Sequence, residues 1–309
     1  MDVAALAGGV GGAKLLVGLQ RELGSNLTAI VNTADDAVFY GVHVSPDVDI
    51  VTYWLAGLAD TSRGWGLRDD RFTVMDALRE LGTDAWFNLG DRDLATCIYR
   101  TQRLREGADL TTVVDEIRER LGVRARVMPM SNDEVRTFVR TDDGRVLGFQ
   151  EYFVKERHAP DVSEVWFEGI GDAKPGPGLL DAIGAAELVV LCPSNPVVSI
   201  APILGLREVR EALVAHPRVV AVSPIVQRVA LKGPADRLLR LLGVEASATG
   251  VARSYEDLCD VFVLDELDRD EAREIEKLGM QTLVVDTIMS DHDASARLAK
   301  ALLSLAEKS

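Results

Sequence analysis

Four short polar stretches hold the residues suited to chemistry. The first is Gly8-Gly9-Val10-Gly11-Gly12-Ala13-Lys14. Glycines let a backbone approach a phosphate closely, and a helix starting there directs N–H groups and partial positive charge at it. The stretch is not a P-loop, because Leu15 follows Lys14. It is a poor dinucleotide fingerprint too, since Lys14 stands where the third glycine belongs. A tight strand–helix turn is the plainer alternative, but glycine-rich turns at this place commonly have both roles. The second region is Asn32-Thr33-Ala34-Asp35-Asp36 with Ser45-Pro46-Asp47-Val48-Asp49. Its acids are hard oxygen donors of the kind that suit Mg²⁺ beside substrate phosphates; helix capping by Asp35 or Asp47 is the alternative. The third, Asn88-Leu89-Gly90-Asp91-Arg92-Asp93-Leu94, either caps a helix and aims a guanidinium at a phosphate or forms a local ion-pair cluster. The fourth is Cys192-Pro193-Ser194-Asn195-Pro196, with Ser199 beyond it. Its prolines hold a Ser-Asn pair rigid, suited to a nucleotide base or phosphate, or simply to a structural turn. Ser223-Pro224 and Lys232-Gly233-Pro234 repeat that pattern more weakly.

Other chemistries lack support. His43, His158, His216 and His292 show no metal spacing, and no GxSxG elbow is present. Cys97, Cys192 and Cys259 form no CxxC pair, which argues against zinc and disulfides and for a reducing cytoplasm.

These stretches need elements to position them. Val3–Ala7 reads as a strand, Leu15, Leu16, Leu19 and Leu23 as a helix face, and Leu27–Val31 as a second strand: a βαβ unit. Phe72–Leu81, Leu94–Leu104 and Thr111–Leu121 read as helices. Arg126–Met130, Val135–Thr141 and Arg145–Lys155 look extended, with a hairpin turn at Thr141-Asp142-Asp143-Gly144. They predict a small antiparallel insert, ended by Lys174-Pro175-Gly176-Pro177-Gly178. Strands at Leu188–Cys192, Val219–Val222, Val261–Leu264 and Thr282–Val285 then alternate with helices at Ile203–Leu213, Pro234–Leu242, Arg269–Lys277 and His292–Leu305. The expectation is a Rossmann-like α/β fold: one domain over residues 1–309 with a mainly parallel sheet covered on both faces. A helical and β-hairpin insert is expected at about 60–175. Ligands in such sheets bind beyond the carboxyl ends of the strands, where all four stretches fall.

Composition sets outer bounds. With 49 acids against 34 bases, the net charge of −15 repels nucleic acid. Only seven of the bases are lysine, which suits a high-salt cytoplasm or an ordinary acidic enzyme. No apolar run is long enough to cross a membrane. The start, Met1-Asp2-Val3, lacks the basic region of a signal peptide.

In order along the chain, GGVGGAKLL, VNTADD, SPDVD, RGWGLRDD, LGDRDLAT, CPSNPVVSI, AVSPIV and DVFVLDELD closely resemble the 2-phospho-L-lactate transferase family of coenzyme F420 biosynthesis and its enolpyruvyl-using bacterial counterparts. The resemblance implies a Mg²⁺-dependent reaction. The ribityl hydroxyl of the deazaflavin precursor Fo attacks the distal phosphorus of a guanosine diphosphate-activated lactate or enolpyruvate, and GMP leaves. It further implies Asp49 and Asn88 as deazaflavin contacts, with Asp49 nearest the attacking hydroxyl, orienting it or taking its proton. Asp36 and Asp47 become candidate metal or capping residues. Gly9, Gly11 and Gly12 cradle phosphate, Lys14 and Arg92 offset its charge, and Ser194 and Asn195 hold the guanosine part. Trp54, Trp65 or Trp86 would wall the flat ring. The chain departs from its relatives at position 88, which is charged or otherwise different in them. A homodimer is implied as well. Asp49→Asn is expected to cost little stability. The competing readings are a non-catalytic nucleotide- or sugar-phosphate-binding regulator and, third, a dinucleotide dehydrogenase, which would need the missing glycine.

Overall fold

The computed structural model describes residues 1–231 and 235–306, so the weak Lys232-Gly233-Pro234 motif lies outside the described residues. Seven strands form the central sheet: β1 (Val3–Ala7), β2 (Leu27–Val31), β3 (Arg126–Pro129), β4 (Leu188–Leu191), β5 (Val219–Val222), β6 (Val261–Asp265) and β7 (Gln281–Val285). Their order is β7-β6-β5-β4-β1-β2-β3, and every pairing is parallel. The sheet is Rossmann-like.

The strands read as continuous apolar runs because both faces are covered. Along β1, Ala4 and Leu6 join one core with Val189, Leu191 and Ala221. Val3, Ala5 and Ala7 join the other with Val190, Val220 and Val263. Helix α1 (Gly9–Leu23) lies on this second face with Leu15, Leu16 and Leu19 fully buried. Each such leucine contributes about 1.5–3 kcal/mol of burial. The helix His292–Leu303 packs against α1 so closely that a Cβ on Gly18 would lie 2.2 Å from the Ser295 carbonyl oxygen.

Two expectations about the insert need correction. Arg126–Pro129 is not part of an antiparallel unit; it is the edge strand β3, in parallel register with β2 from Thr28↔Arg126 to Val31↔Pro129. Val127 and Met128 point to opposite faces and are both buried, as a covered strand requires. The expected insert is therefore two pieces. Helices α2 (Pro46–Leu55), α3 (Thr73–Glu80), α4 (Asp91–Arg105) and α5 (Leu110–Arg120) lie between β2 and β3. A three-stranded antiparallel sheet of Arg136–Thr141, Val146–Gly148 and Val162–Glu168 follows β3.

The second correction concerns Arg145–Lys155. It is extended only over Val146–Gly148 and then turns into one π-helical turn, Glu151–Lys155. Phe149, Tyr152 and Phe153 have helical rather than alternating spacing, and Phe149 and Tyr152 are buried against Val198 and Leu238. The expected helix Ile203–Leu213 is broken at Leu206 into Ala201–Gly205 and Arg207–Val214. No expectation covered the small hairpin Ala37–Phe39/Val42–Val44 or the Val162–Glu168 strand.

Candidate active site

The strand order reverses between β1 and β4, and the loops leaving their carboxyl ends diverge there to make a crevice. After β1 the chain enters α1 through Gly8 and Gly9, the latter at φ +61. After β4 it runs through Pro193, Ser194 and Asn195. The two loops meet closely because the glycine turn contributes no side chains between them. A Cβ on Gly11 would stand 2.2 Å from the Pro193 carbonyl oxygen, and one on Gly12 would stand 2.4 Å from Ser194 Oγ. The Gly8 N–H donates to Ser194 Oγ at 3.0 Å. Asn195 Oδ1 caps a π-helical turn, Pro196–Ile200, accepting from Val197 N at 3.0 Å. Both polar side chains of this pair thus fix backbone at the crevice.

Asp47 ties the acidic region to the glycine turn. Its Oδ1 accepts the Gly9 N–H at 2.8 Å, and its Oδ2 accepts Asn32 Nδ2 at 3.0 Å. Asn32 in turn donates to the Val198 carbonyl and accepts from Ala34 N. Burial pushes the Asp47 carboxyl up to about 6, against the opposing hydrogen bonds from Asn32 and Gly9. Burial, and then the nearby Asp47 charge, pushes Asp35 well above the usual carboxylate range.

Asp35, Asp47 and Val198 line a cavity of about 660 Å³. Its lining includes Gly8, Gly9, Gly11, Lys14 and the Pro193–Asn195 loop, with Ser223 and Met289. Lys14 donates from Nζ to the Met289 carbonyl at 2.8 Å. The lining also includes Asp49, Tyr53, Asp93 and Asn88 and the rings of Trp65, Phe87, Phe149 and Phe153, of which Phe149 and Phe153 pack near Val198. Of the tryptophans, Trp65 lines the cavity. Trp54 is buried outside it, and Trp86 stands edge-on behind Phe87, with ring centroids 5.8 Å apart.

Gly12, Asp36 and Arg92 stand off the cavity. Asp36 Oδ2 accepts Ser45 Oγ at 2.6 Å and pairs with His43 Nε2 at 2.9 Å. Arg92 is exposed at the start of α4 and donates to the Arg68 carbonyl. Arg63 is the guanidinium that reaches the lining, held 5.2 Å from the Trp65 ring centroid and donating to the Leu67 carbonyl. It was hidden inside the RGWG motif. Asn88 is exposed on the rim, and Arg79 of α3 donates to its Oδ1, so a cation stands beside position 88 from another element.

Sequence reasoning also missed Arg100. Its guanidinium is wholly buried and clasps both oxygens of Asp49, with Nη1 3.1 Å from Oδ2 and Nη2 on Oδ1. Burial raises the Asp49 carboxyl, and Arg100 pulls it back. The earlier expectation about Asp49 and stability is overturned, since Asp49 is half of a buried ion pair. Asp93, the third residue of α4, accepts the Tyr53 O–H at 2.8 Å on Oδ1. Burial, and then Asp49, pushes its carboxyl up to about 7.

Two clusters bear on a metal. Asp35 and Asp47 offer hard oxygens at the cavity, and Asp35 Oδ1 is buried with no hydrogen-bond partner among the described residues. Two buried acids that resist ionising together, next to a candidate phosphate floor, fit a divalent cation such as Mg²⁺. Asp49, Asp93 and Cys97 also bring ligand atoms within 4.8 Å of one another. The Arg100 charge already occupies that place on Asp49, and a thiol suits softer ions, so this second cluster fits Mg²⁺ poorly.

The fold and the cleft together define a Rossmann-like α/β protein with a glycine-floored, acid-lined site at its switch point. The chain belongs to the 2-phospho-L-lactate transferase family, and it is an enzyme of the transferase class: residues 3–302 match the family model described as 2-phospho-L-lactate transferase CofD. It is 42% identical to the 2-phospho-L-lactate transferase of Methanopyrus kandleri, over 98% of this chain and 97% of that one. It is 41% identical to the phosphoenolpyruvate transferase of Streptomyces griseus, over 100% and 99%. Among solved structures, a UPF0052-family protein from Bacillus halodurans has a like fold, with TM-score 0.66, 18% identity and 98% of each chain covered.

Proposed function

We propose that the protein moves a phospholactyl or phosphoenolpyruvyl group from a guanosine diphosphate-activated donor to the ribityl hydroxyl of Fo, releasing GMP. The observation that carries this reading is one cavity lined at once by the glycine turn and loop of the switch point, by buried acids and by aromatic rings. The diphosphate lies along Gly9 and Gly11 toward Lys14, where N–H groups and a cation offset its charge. The guanosine part extends past Ser194 and Asn195. The deazaflavin ring lies against Trp65, Phe87, Phe149 and Phe153, with its ribityl chain directed at Asp49. Asp49, fixed by Arg100, orients the hydroxyl in line with the distal phosphorus. Asp35 and Asp47 hold Mg²⁺, which when bound neutralises phosphate charge. Such chemistry is mainly positioning and charge stabilisation, so it needs no covalent nucleophile.

The relatives' names support either acid as donor group. We assign the chain to the cytoplasm, where its three buried free cysteines stay reduced, and to a homodimer, on family resemblance. No helix among the described residues is long and apolar enough to cross a membrane. The test is incubation with Fo, Mg²⁺ and, in turn, guanosine-activated lactate, enolpyruvate and glycerate, read by mass. One phosphodiester product with GMP is expected. Guanosine nucleotide binding without product from any donor would favour the regulator instead.

A further inference from the structure

Asp49 is poorly placed to take a proton. Both of its oxygens are committed to a guanidinium that is itself wholly buried and always charged. Protonating Asp49 would strand that charge in the interior, at a cost no base in a catalytic cycle should carry. Asp93 differs in each respect. It lines the same cavity, its Oδ1 is held by the Tyr53 O–H, and its backbone N–H is anchored at 3.1 Å on Asp70 Oδ2. Its Oδ2 has no hydrogen-bond partner among the described residues. The neighbouring Gly66, at φ +68, has no side chain to cover that oxygen, since even a Cβ there would lie 4.0 Å away.

We propose that Asp93 is the general base of the transfer, accepting the acceptor hydroxyl's proton on Oδ2, while the Asp49–Arg100 pair orients that hydroxyl. The proposal rests on the reaction described above. In the step, the hydroxyl oxygen bonds to the phosphorus carrying the acid group. The bond from that phosphorus to the GMP oxygen breaks, and GMP leaves with the electron pair. The proton passes to Asp93 and is later lost to water.

The charged and titratable groups around Asp93 support the assignment. From α2, Asp49 opposes its ionisation and the Tyr53 hydroxyl favours it. From its own helix, Arg100 favours the anion; from the loop before α3, Asp70 opposes it. The Cys97 thiol, pushed up by burial, stays neutral. A base that titrates near the working pH is both available and strong enough to act.

The experiment is the pH–rate profile of wild type, Asp93→Asn and Tyr53→Phe at saturating Mg²⁺, with GDP binding and thermal unfolding measured alongside. Wild-type kcat is expected to rise with pH through a limb near 7 and then level. Asp93→Asn is expected to lose ~10²–10⁴-fold in kcat and to lose the limb, with GDP affinity unchanged. Tyr53→Phe removes a hydrogen bond that favours the anion, so its limb should move to higher pH. An Asp93→Asn enzyme that keeps its rate and its limb overturns the proposal. If that variant does not fold, an unmoved limb in Tyr53→Phe overturns it equally. A wild type that yields no phosphodiester from any donor overturns the reaction itself, and the assignment falls with it.

Discussion

At the scale of single residues, the buried Asp49–Arg100 pair sets the sharpest expectations. Asp49→Asn keeps the shape but leaves the Arg100 guanidinium uncompensated in the core. Breaking such a pair typically costs about 3–5 kcal/mol, so a marked fall in melting temperature is expected along with lost turnover. Thermal unfolding and single-turnover kinetics measure the two effects, and a variant as stable as wild type would contradict the ion pair. Asp47 gives a pH prediction. Its folded value of about 6 lies above the ordinary carboxylate value of 3.8. The stability it contributes is therefore fully present below about pH 4 and is lost as pH rises through about 6. A cation that needs the carboxylate should reverse this, so added Mg²⁺ is expected to raise the melting temperature more at pH 8 than at pH 5. Equal shifts at both would place the ion elsewhere. Much at this scale was legible: Asp47, Asp49 and Asp93 each sit in a motif singled out by its polarity. Arg100 was not, because a lone arginine on a charged helix carries no mark of the partner it will meet 51 positions away.

At the scale of elements, the site depends on how closely α1 approaches the loop after β4. Gly11→Ala would drive a methyl group into the Pro193 carbonyl, which is backbone and cannot swing aside. The helix start must shift, and GDP affinity is expected to fall at least tenfold while Fo affinity changes little. Calorimetry with each ligand checks this, and an unaltered GDP affinity would show that the turn is not the phosphate floor. The strands of the sheet were readable to within a residue or two, because covered parallel strands show as short apolar runs. The two π-helical turns bordering the cavity were not readable. Both are single turns that have no sequence period of their own, and Glu151–Lys155 was hidden by its resemblance to a strand rich in Tyr, Phe and Val. Such turns are frequent at functional sites, and here both contribute to the lining.

At the scale of the molecule, the glycine turn and the Ser-Asn loop arise in separate halves of the sheet, while the acids all lie between β2 and β3. The Rossmann-like class followed from the strand–helix rhythm, but the place of β3 did not, since pairing partners across a long connection leave no local trace. The contact between α1 and His292–Leu303 has a further consequence, one of timing during synthesis. At about 5–20 residues per second, α1 leaves the ribosome roughly tens of seconds before the helix that covers it. For that interval its leucines must be sheltered by something else or stay exposed. A chain stopped before residue 292 is therefore expected to aggregate or to be retained by chaperones, whereas the whole chain is released soluble. Sedimentation of stalled and completed chains from a cell-free translation would distinguish the two, and a soluble, folded truncation would show that the first half of the sheet shelters α1 unaided.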